Sequence, residues 1–312
     1  MNDFISIVIL QFNNSHYTIA LLNSLEKIKY KKFRIVIVDN HSTDSSVKHL
    51  KNHFKKNNHS FSYIIDDKNG KFKNIEKPFS KIFLVKSLKN GGYAYGCNLG
   101  LKLSLSLQSD YYLILNNDVE VDPNFLNELI VFSKRNPEMG MISSKIFYYG
   151  TKDLVWFNGG KINRLTGRVT HFNFRKKDNP ELEYKGINFL TGCSLFIPHE
   201  PLIDVGFLDE AFFFYHEDVD YSLQFLKKGY QLGVCSNSII YHKKNISGID
   251  ISDTGAKYRS INKKLLINKH FKGLSKIFAH ADHLFYAFLK YIYNGKYRLA
   301  FEHIFAVLTK KK

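Results

Sequence analysis

Cysteine is scarce in this 312-residue chain. It has three, Cys97, Cys193 and Cys235, each isolated and without CxxC spacing. An odd and scattered set argues against a disulfide framework or a zinc-finger-type site and fits a reducing compartment. Long apolar runs are missing too. Hydrophobic stretches in the C-terminal third are broken by His280, Asp282, Lys290 and Lys296, so no segment offers the ~18 apolar residues of a membrane-spanning helix. Met1-Asn2-Asp3 leads straight into an apolar strand, without the basic start and cleavage site of a signal peptide. A cytoplasmic location is therefore expected, and sequons such as Asn245-Ile246-Ser247 are read as accidental. No internal repeat or low-complexity linker divides the chain.

What is present is a globular composition, 44% hydrophobic and rich in Phe and Tyr. The length suffices to bury a full core, as one large domain or one with an appendage. A formal charge of +17 favours acidic partners, and nucleic acid, nucleotide phosphates and anionic lipid headgroups all qualify. Charge alone does not choose among them.

The first half alternates strand and helix. Phe4 to Leu10 is a continuous aliphatic run and reads as a buried strand; His16 to Ile28 follows with helical spacing at Ile19, Leu22 and Leu25. Phe33 to Val38 is the second strand, and Ser42 would cap a helix from Thr43 to about Lys55. Phe61 to Ile65, an Asn69-Gly70 turn and Phe72 to Ile75 suggest a hairpin inserted into the alternation. Strand Ile82 to Val85, helix Gly92 to Leu107 and strand Tyr111 to Leu115 resume it. The expectation is an α/β fold, a mostly parallel sheet with helices on both faces.

Ligands of such sheets bind beyond the carboxyl ends of the strands. Three polar clusters fall there: Gln11-Phe12-Asn13, Asp39-Asn40-His41-Ser42 and Asn116-Asn117-Asp118. An acid ending strand two is a dinucleotide-enzyme feature, but the first strand leads into Gln11-Phe12-Asn13-Asn14-Ser15 and not a GxGxxG turn. Asn90-Gly91-Gly92 precedes a helix, so its backbone could approach a phosphate or sugar closely. A tight turn needing positive φ explains those glycines as well.

After Asp122-Pro123 a helix runs to about Arg135, and from Met139 to Phe196 short strands and turns dominate. A further helix starts near Glu217, buries Val219, Leu223 and Leu226, and closes at Gly229. Strands at Leu232 to Cys235 and Ile239 to His242 follow, and from Thr254 the pattern is helical and basic to Lys310-Lys311-Lys312. This reads as a catalytic domain over 1–250, with halves of about 1–122 and 123–250, and a helical C-terminal extension over 251–312. Glu217-Asp218-Val219-Asp220 opens a helix and Asn116-Asn117-Asp118 ends a strand, so their acids can converge on one cleft. That pairing suggests metal-assisted group transfer, while acids at helix starts also simply complement the helix dipole.

Taken in order, the Asn13 loop, Val36 to Asp44, Asn90 to Gly100, Leu115 to Asp118, Thr191-Gly192-Cys193 and His216 to Asp220 resemble the family 2 glycosyltransferases, with rhamnosyltransferase-like bacterial enzymes as the most similar branch. The resemblance covers about residues 4–270. It implies an A-type, inverting nucleotide-sugar transferase using Mg²⁺ or Mn²⁺. Carried over, Asp39 holds the nucleobase with Gln11 and Asn13 beside it, and Asn40, Asn90, Gly92, Asn116 and Asn117 line the nucleotide site. Asp118 is the metal-side carboxylate of a DxD motif whose first acid here is Asn116. Asp218 is the catalytic base with Glu217 as its neighbour, and His242 is a diphosphate-side histidine or second metal ligand. His41 replaces the usual Gly, and the Arg-Asn pair appears as Ile261-Asn262, which leaves a diphosphate role for Arg259 in doubt.

The residue types suit that chemistry. Negative charge on a departing diphosphate is neutralised by an oxygen-ligated divalent cation, and an attacking hydroxyl loses its proton to a placed carboxylate. Two acids flanking a sugar also describe a glycosidase, which has no use for a nucleotide loop. The implied partners are a nucleotide sugar, dTDP-rhamnose or a UDP-hexose, and a glycan or lipid-linked glycan acceptor. The alternatives are a nucleic-acid-binding basic protein, against which no recognition helix or stacking motif stands out, and a non-catalytic sugar-binding relative, which would be expected to lack Asp218. Phe278, Leu284, Phe285, Phe288, Leu289 and Ile292 recur at helical spacing among Lys276, Lys290, Lys296 and Arg298. That mixture fits an anionic membrane surface or packing on protein.

Overall fold

The computed structural model describes residues 3–66, 72, 80–179, 186–244, 253–293 and 295–308. The chain begins with β1 (Ile5–Gln11), α1 (His16–Leu25), β2 (Phe33–Asp39), α2 (Ser46–Lys56), β3 (Phe61–Ile65), β4 (Ile82–Lys86), α3 (Gly92–Ser106) and β5 (Tyr111–Asn116). β1 pairs in parallel with β2 and β5, and β4 pairs in parallel with β2 and β3. Unbroken apolar runs such as Ile7-Val8-Ile9 and Val36-Ile37-Val38 have no exposed surface, as expected of parallel strands covered on both faces. Helix α3 lies close against them. A Cβ on its Gly100 would meet Val8 Cγ1 at 2.3 Å, so a side chain there would push helix and sheet apart.

The second half follows as β6 (Val119–Val121), α4 (Phe125–Arg135), β7 (Met139–Tyr148), β8 (Val155–Phe157), β9 (Gly160–Ile162), β10 (Val169–His171), β11 (Ser194–Pro198), α5 (His199–Val205), α6 (Glu217–Lys227) and β12 (Gln231–His242). One mixed sheet runs β3-β4-β2-β1-β5-β11-β7-β12-β6 with β8 beside β7, while β9 and β10 form a separate pair. β11 is antiparallel to β5, and β6 is antiparallel to β12. Its pairing with β12 brings the turn after β5 beside the end of β12.

Several boundaries differ from the sequence reading. Helix α2 starts at Ser46, with Ser45 at its N-cap, and Asp44 rather than Ser42 takes its first N–H, Oδ1 accepting from the Ser46 N–H at 2.9 Å. Ser42 instead accepts from the Asn13 N–H at 2.8 Å. Phe61–Ile65 is an edge strand parallel to β4; the Asn69-Gly70 turn and all but Phe72 of the expected hairpin's second arm lie outside the described residues. The two strands expected after Gly229 are one, interrupted by a register shift between Cys235 and Ile239.

Three helices end the described chain, α7 (Asp253–His270), α8 (Gly273–Tyr293) and α9 (Tyr297–Leu308). α7 is tied to the sheet-bearing part by buried Asp220, which accepts from His270 Nε2 at 2.6 Å and Lys269 Nζ at 2.9 Å. Asp220 is thereby spent on anchoring. Asn262 Nδ2 donates to the carbonyls of Phe214 and Tyr215, so α7 also shapes the loop entering α6. All three cysteines are free and buried, and among the described residues no helix is long and apolar enough to cross a membrane.

Candidate active site

The carboxyl ends of β1, β2 and β5 bring the first three clusters together. Asp39 is fully buried; its Oδ2 accepts from the Ser42 N–H at 3.2 Å, and its Oδ1 is buried without a hydrogen-bond partner. Burial pushes the Asp39 carboxyl up. A donor group offered by a ligand would satisfy the orphaned oxygen, since such atoms are costly when left unpaired. Gln11 is buried as well, and its side chain is occupied: Nε2 donates to Asn13 O at 2.7 Å, while Oε1 accepts from Thr18 Oγ1 and from Asn117 Nδ2. Asn13 and Asn14 take left-handed φ values of 53° and 52°, a conformation Asn tolerates better than most residues. Asn13 Oδ1 accepts from the Thr43 N–H at 2.9 Å, joining the first loop to the second. His41, where the family pattern has Gly, also has positive φ at 66°. The backbone shape that glycine favours is kept.

Asn40 links these loops to the glycine segment. Its N–H donates to Gln11 O, its Nδ2 donates to Asn90 Oδ1 and Gly92 O at 3.0 Å each, and its Oδ1 accepts from the Gly91 N–H. Gly92 has φ 86°, and a Cβ there would lie 2.1 Å from Phe213 O. Only glycine fits. The same carbonyl accepts from the Tyr93 N–H at 2.7 Å, which joins the start of α3 to the loop before α6.

Asp118 lies in the turn between β5 and β6. Its Oδ1 is 3.1 Å from His242 Nε2 at the end of β12, its Oδ2 is 3.5 Å from Lys244 Nζ, and its carbonyl accepts from the Lys243 N–H at 2.8 Å. Burial alone would raise the Asp118 carboxyl, but the His242 ring and Lys244 outweigh it and hold the group well below the usual carboxylate range. The carboxylate is thus kept anionic. His242 is buried against the edge of Trp156, ring centroids 4.3 Å apart, and its Nδ1 has no hydrogen-bond partner. An ionised carboxylate beside an imidazole is a donor set that fits a divalent cation.

The second acidic centre is at the start of α6. Asp218 Oδ2 accepts from the Gly192 N–H at 3.0 Å and Oδ1 from its neighbour Val219 N–H at 2.8 Å. Burial raises the Asp218 carboxyl, opposed by these N–H groups and by Arg259. Glu217 is buried, with Oε2 unpartnered, and burial and then Asp218 push its carboxyl far up. Both carboxyls of this pair are raised by burial, and Asp218 is the one that two backbone N–H groups hold in place. Tyr215 and His216, with φ 71° and 70°, turn the chain sharply into the helix. Arg259 lies over the Tyr215 ring at 4.5 Å.

Tyr93 joins the two centres and had no signal in the sequence beyond its place after Gly92. Its hydroxyl donates to Gly192 O at 2.6 Å and reaches Asn116 Oδ1 at 3.3 Å. A continuous path therefore runs from Asn116 through Tyr93 and Gly192 to Asp218. Thr18, Lys244 and Trp156 were likewise missed, because each comes from an element whose proximity only the folded chain creates.

Residues 6–81 match the family model described as glycosyl transferase family 2. Those residues span β1 to just before β4, the Asp39 side of the cleft. The chain is 24% identical over 160 residues to the low-salt glycan biosynthesis hexosyltransferase Agl10 of Haloferax volcanii, covering 49% of each chain. It is 23% identical over 172 residues to an N-acetylglucosaminyl-diphospho-decaprenol L-rhamnosyltransferase of Mycobacterium tuberculosis, covering 52% of this chain and 56% of that one. The match thus spans about half the length of these curated relatives. Among solved structures, a mannosyltransferase from Pyrobaculum calidifontis in complex with GDP-Man and Mn²⁺ superposes with a TM-score of 0.54 at 12% identity, over 99% of this chain and 76% of that one. The fold is that of the A-type glycosyltransferases.

Proposed function

We propose that this chain transfers a glycosyl group from a nucleoside-diphosphate sugar to a hydroxyl of a glycan or lipid-linked glycan, with inversion at the anomeric carbon. The observation that supports the reading is a pair of unlike carboxylates on segments that Tyr93 and Gly192 connect: Asp118 kept ionised beside His242, and Asp218 desolvated but aimed by two backbone N–H groups. Asp39 takes a donor group of the base on its unpartnered oxygen, and the loops of Asn13, Asn40 and Asn90 to Gly92 lie around the nucleotide. Asp118 and His242 would hold Mg²⁺ or Mn²⁺, which when bound neutralises charge on the departing diphosphate.

The residues of the chain supply the rest. Asp218 accepts the proton of the acceptor hydroxyl as that oxygen attacks the anomeric carbon, and the bond to the diphosphate breaks on the opposite face. A base on the face opposite the leaving group requires inversion. The catalytic part is assigned to 1–250 and the helical extension to 251–312.

The helical extension bears on the class of acceptor. Phe278, Phe285 and Leu289 of α8 and Phe301 of α9 are exposed, whereas Leu284, Phe288 and Ile292 of the same stripe are half-buried. An outward aromatic face on a protein of net charge +17 suits an anionic membrane surface bearing a lipid-linked acceptor. The name of the mycobacterial relative gives such an acceptor. Lys290's side chain and Lys310-Lys311-Lys312 lie outside the described residues. The direct test of the function is a thermal-shift and transfer screen over nucleotide sugars with Mn²⁺: one donor class should stabilise the protein and be consumed, and no response to any donor would reject it. Sedimentation with anionic vesicles tests the extension, since Phe285→Glu with Phe301→Glu should abolish pelleting that neutral vesicles do not support.

A further inference from the structure

A second group of potential metal ligands lies at the other end of the sheet. Glu26 caps the C-terminus of α1, His53 is in the last turn of α2, and His59 precedes β3. In this alternating topology helices run back against their strands, so all three positions fall at the amino ends of the parallel strands. Asp39 and Asn116 are at the carboxyl ends. Seven-residue β1 separates the two levels by about 20 Å, at a rise of ~3.3 Å per residue.

We propose that Glu26, His53 and His59 form a site for a divalent transition-metal ion of the zinc type. One ligand atom from each lies within 4.8 Å of the others. His59 Nε2 and Glu26 Oε1 are 2.9 Å apart, and the two imidazole rings are 6.1 Å apart between centroids. A tetrahedral ion with bonds of ~2.0–2.1 Å needs its ligands about 3.4 Å apart, so the Glu26–His59 pair is nearly set and His53 closes the remaining gap by rotation of its ring. His53 Nε2 is buried with no hydrogen-bond partner, whereas its Nδ1 faces Asn57 Nδ2 at 3.3 Å. That leaves one ring nitrogen of His53 without a partner.

The backbone makes the arrangement firm. The His59 N–H donates to Phe54 O at 2.9 Å, and the Phe54 and Phe61 rings pack 5.0 Å apart, so the turn after α2 returns His59 to His53 without help from the ion. Two imidazoles and one carboxylate select a borderline ion over Mg²⁺ or Mn²⁺, which prefer oxygen. An ion here would clip α1, α2 and the entry to β3 together, far from the transfer chemistry and independent of it.

The test is titration of Zn²⁺ into the full, metal-stripped chain in excess Mg²⁺, read by calorimetry and by melting temperature. One Zn²⁺ per chain is expected, with a rise in melting temperature. His53→Ala and His59→Ala should each weaken binding by at least about tenfold, as loss of even an outer-shell partner costs ~10–100-fold, while Asp118→Asn should leave it unchanged. Glu26→Gln, at an exposed helix end, guards against loss through misfolding: it should keep the metal-free melting temperature and lose the Zn²⁺-induced rise. No Zn²⁺ binding, binding indifferent to all three substitutions, or binding lost in Asp118→Asn would each overturn the proposal.

Discussion

Asp118 and Asp218 are both aspartates, on segments that Tyr93 connects through Asn116 and Gly192, yet their surroundings push them in opposite directions. At the turn between β5 and β6, His242 and Lys244 overcome burial and hold Asp118 below the ordinary carboxylate range. At the start of α6, burial next to Glu217 lifts Asp218 above it. The difference teaches that identity at a position says little about role. A carboxylate kept anionic by cations suits a permanent charge such as a metal ligand, and one raised by desolvation suits proton transfer near neutral pH.

The sharpest way to break this comparison is to neutralise each acid in turn. Asp218→Asn should retain donor affinity and lower the turnover rate by about 10²–10⁴-fold, the share of a general base; calorimetry with donor alongside a turnover assay separates the two quantities. A variant that keeps a third or more of the wild-type rate would remove Asp218 from that role. Asp118→Ala should do the reverse to binding, weakening Mn²⁺-dependent donor affinity by about 10²–10³-fold, comparable to loss of one electrostatic stabiliser in other sites. Full activity of the wild-type protein in excess chelator would dissociate Asp118 from metal binding.

The placement of these acids at the end of a strand and the start of a helix was legible before folding, and the reasons are local. Uninterrupted apolar runs such as Ile7-Val8-Ile9 announce buried parallel strands, and acids or amides just after them mark the carboxyl edge where ligands bind. The illegible parts depend on contacts distant in sequence. Asn116 meets Cys193, and Asp118 meets His242, only because β11 inserts beside β5 and β12 pairs with β6. Gln11 reads as a ligand contact from its position, but Thr18 and Asn117 converge on its side chain. The start of α2 was misplaced because Ser42 and Asp44 both have capping chemistry, and the loop bearing Asn13 claims Ser42.

The same comparison predicts how transfer responds to acid. Because burial raises the Asp218 carboxyl, its protonated form begins to accumulate above the usual range for aspartate. The base is lost as pH falls through that raised value, so kcat/KM should drop about tenfold per pH unit below it, the slope of one titrating group. The apparent pKa belongs to the Glu217–Asp218 pair. Metal-dependent donor binding should persist to lower pH, since Asp118 stays ionised there. Parallel loss of binding and rate on acidification would erase the distinction.

Tyr93 offers the smallest and most specific perturbation, because it touches both centres. Burial pushes its hydroxyl well above the ordinary tyrosine range, so it stays protonated and acts as a donor to Gly192 O while also reaching Asn116 Oδ1. Gly192 in turn gives its N–H to Asp218 Oδ2. Tyr93→Phe keeps the ring and removes only the hydroxyl, at a cost to folding of about 0.5–1.5 kcal/mol for one hydrogen bond, measurable by denaturant unfolding. If the hydroxyl fixes the Gly192 peptide, its loss weakens the N–H contact that stabilises ionised Asp218, and the acid limb of kcat/KM moves to higher pH. A purely structural hydroxyl would lower stability and leave that limb in place. The direction is fixed by the chemistry, since fewer hydrogen bonds to a carboxylate always favour its protonated form. An acid limb that moved to lower pH would contradict the path from Asn116 through Tyr93 and Gly192 to Asp218.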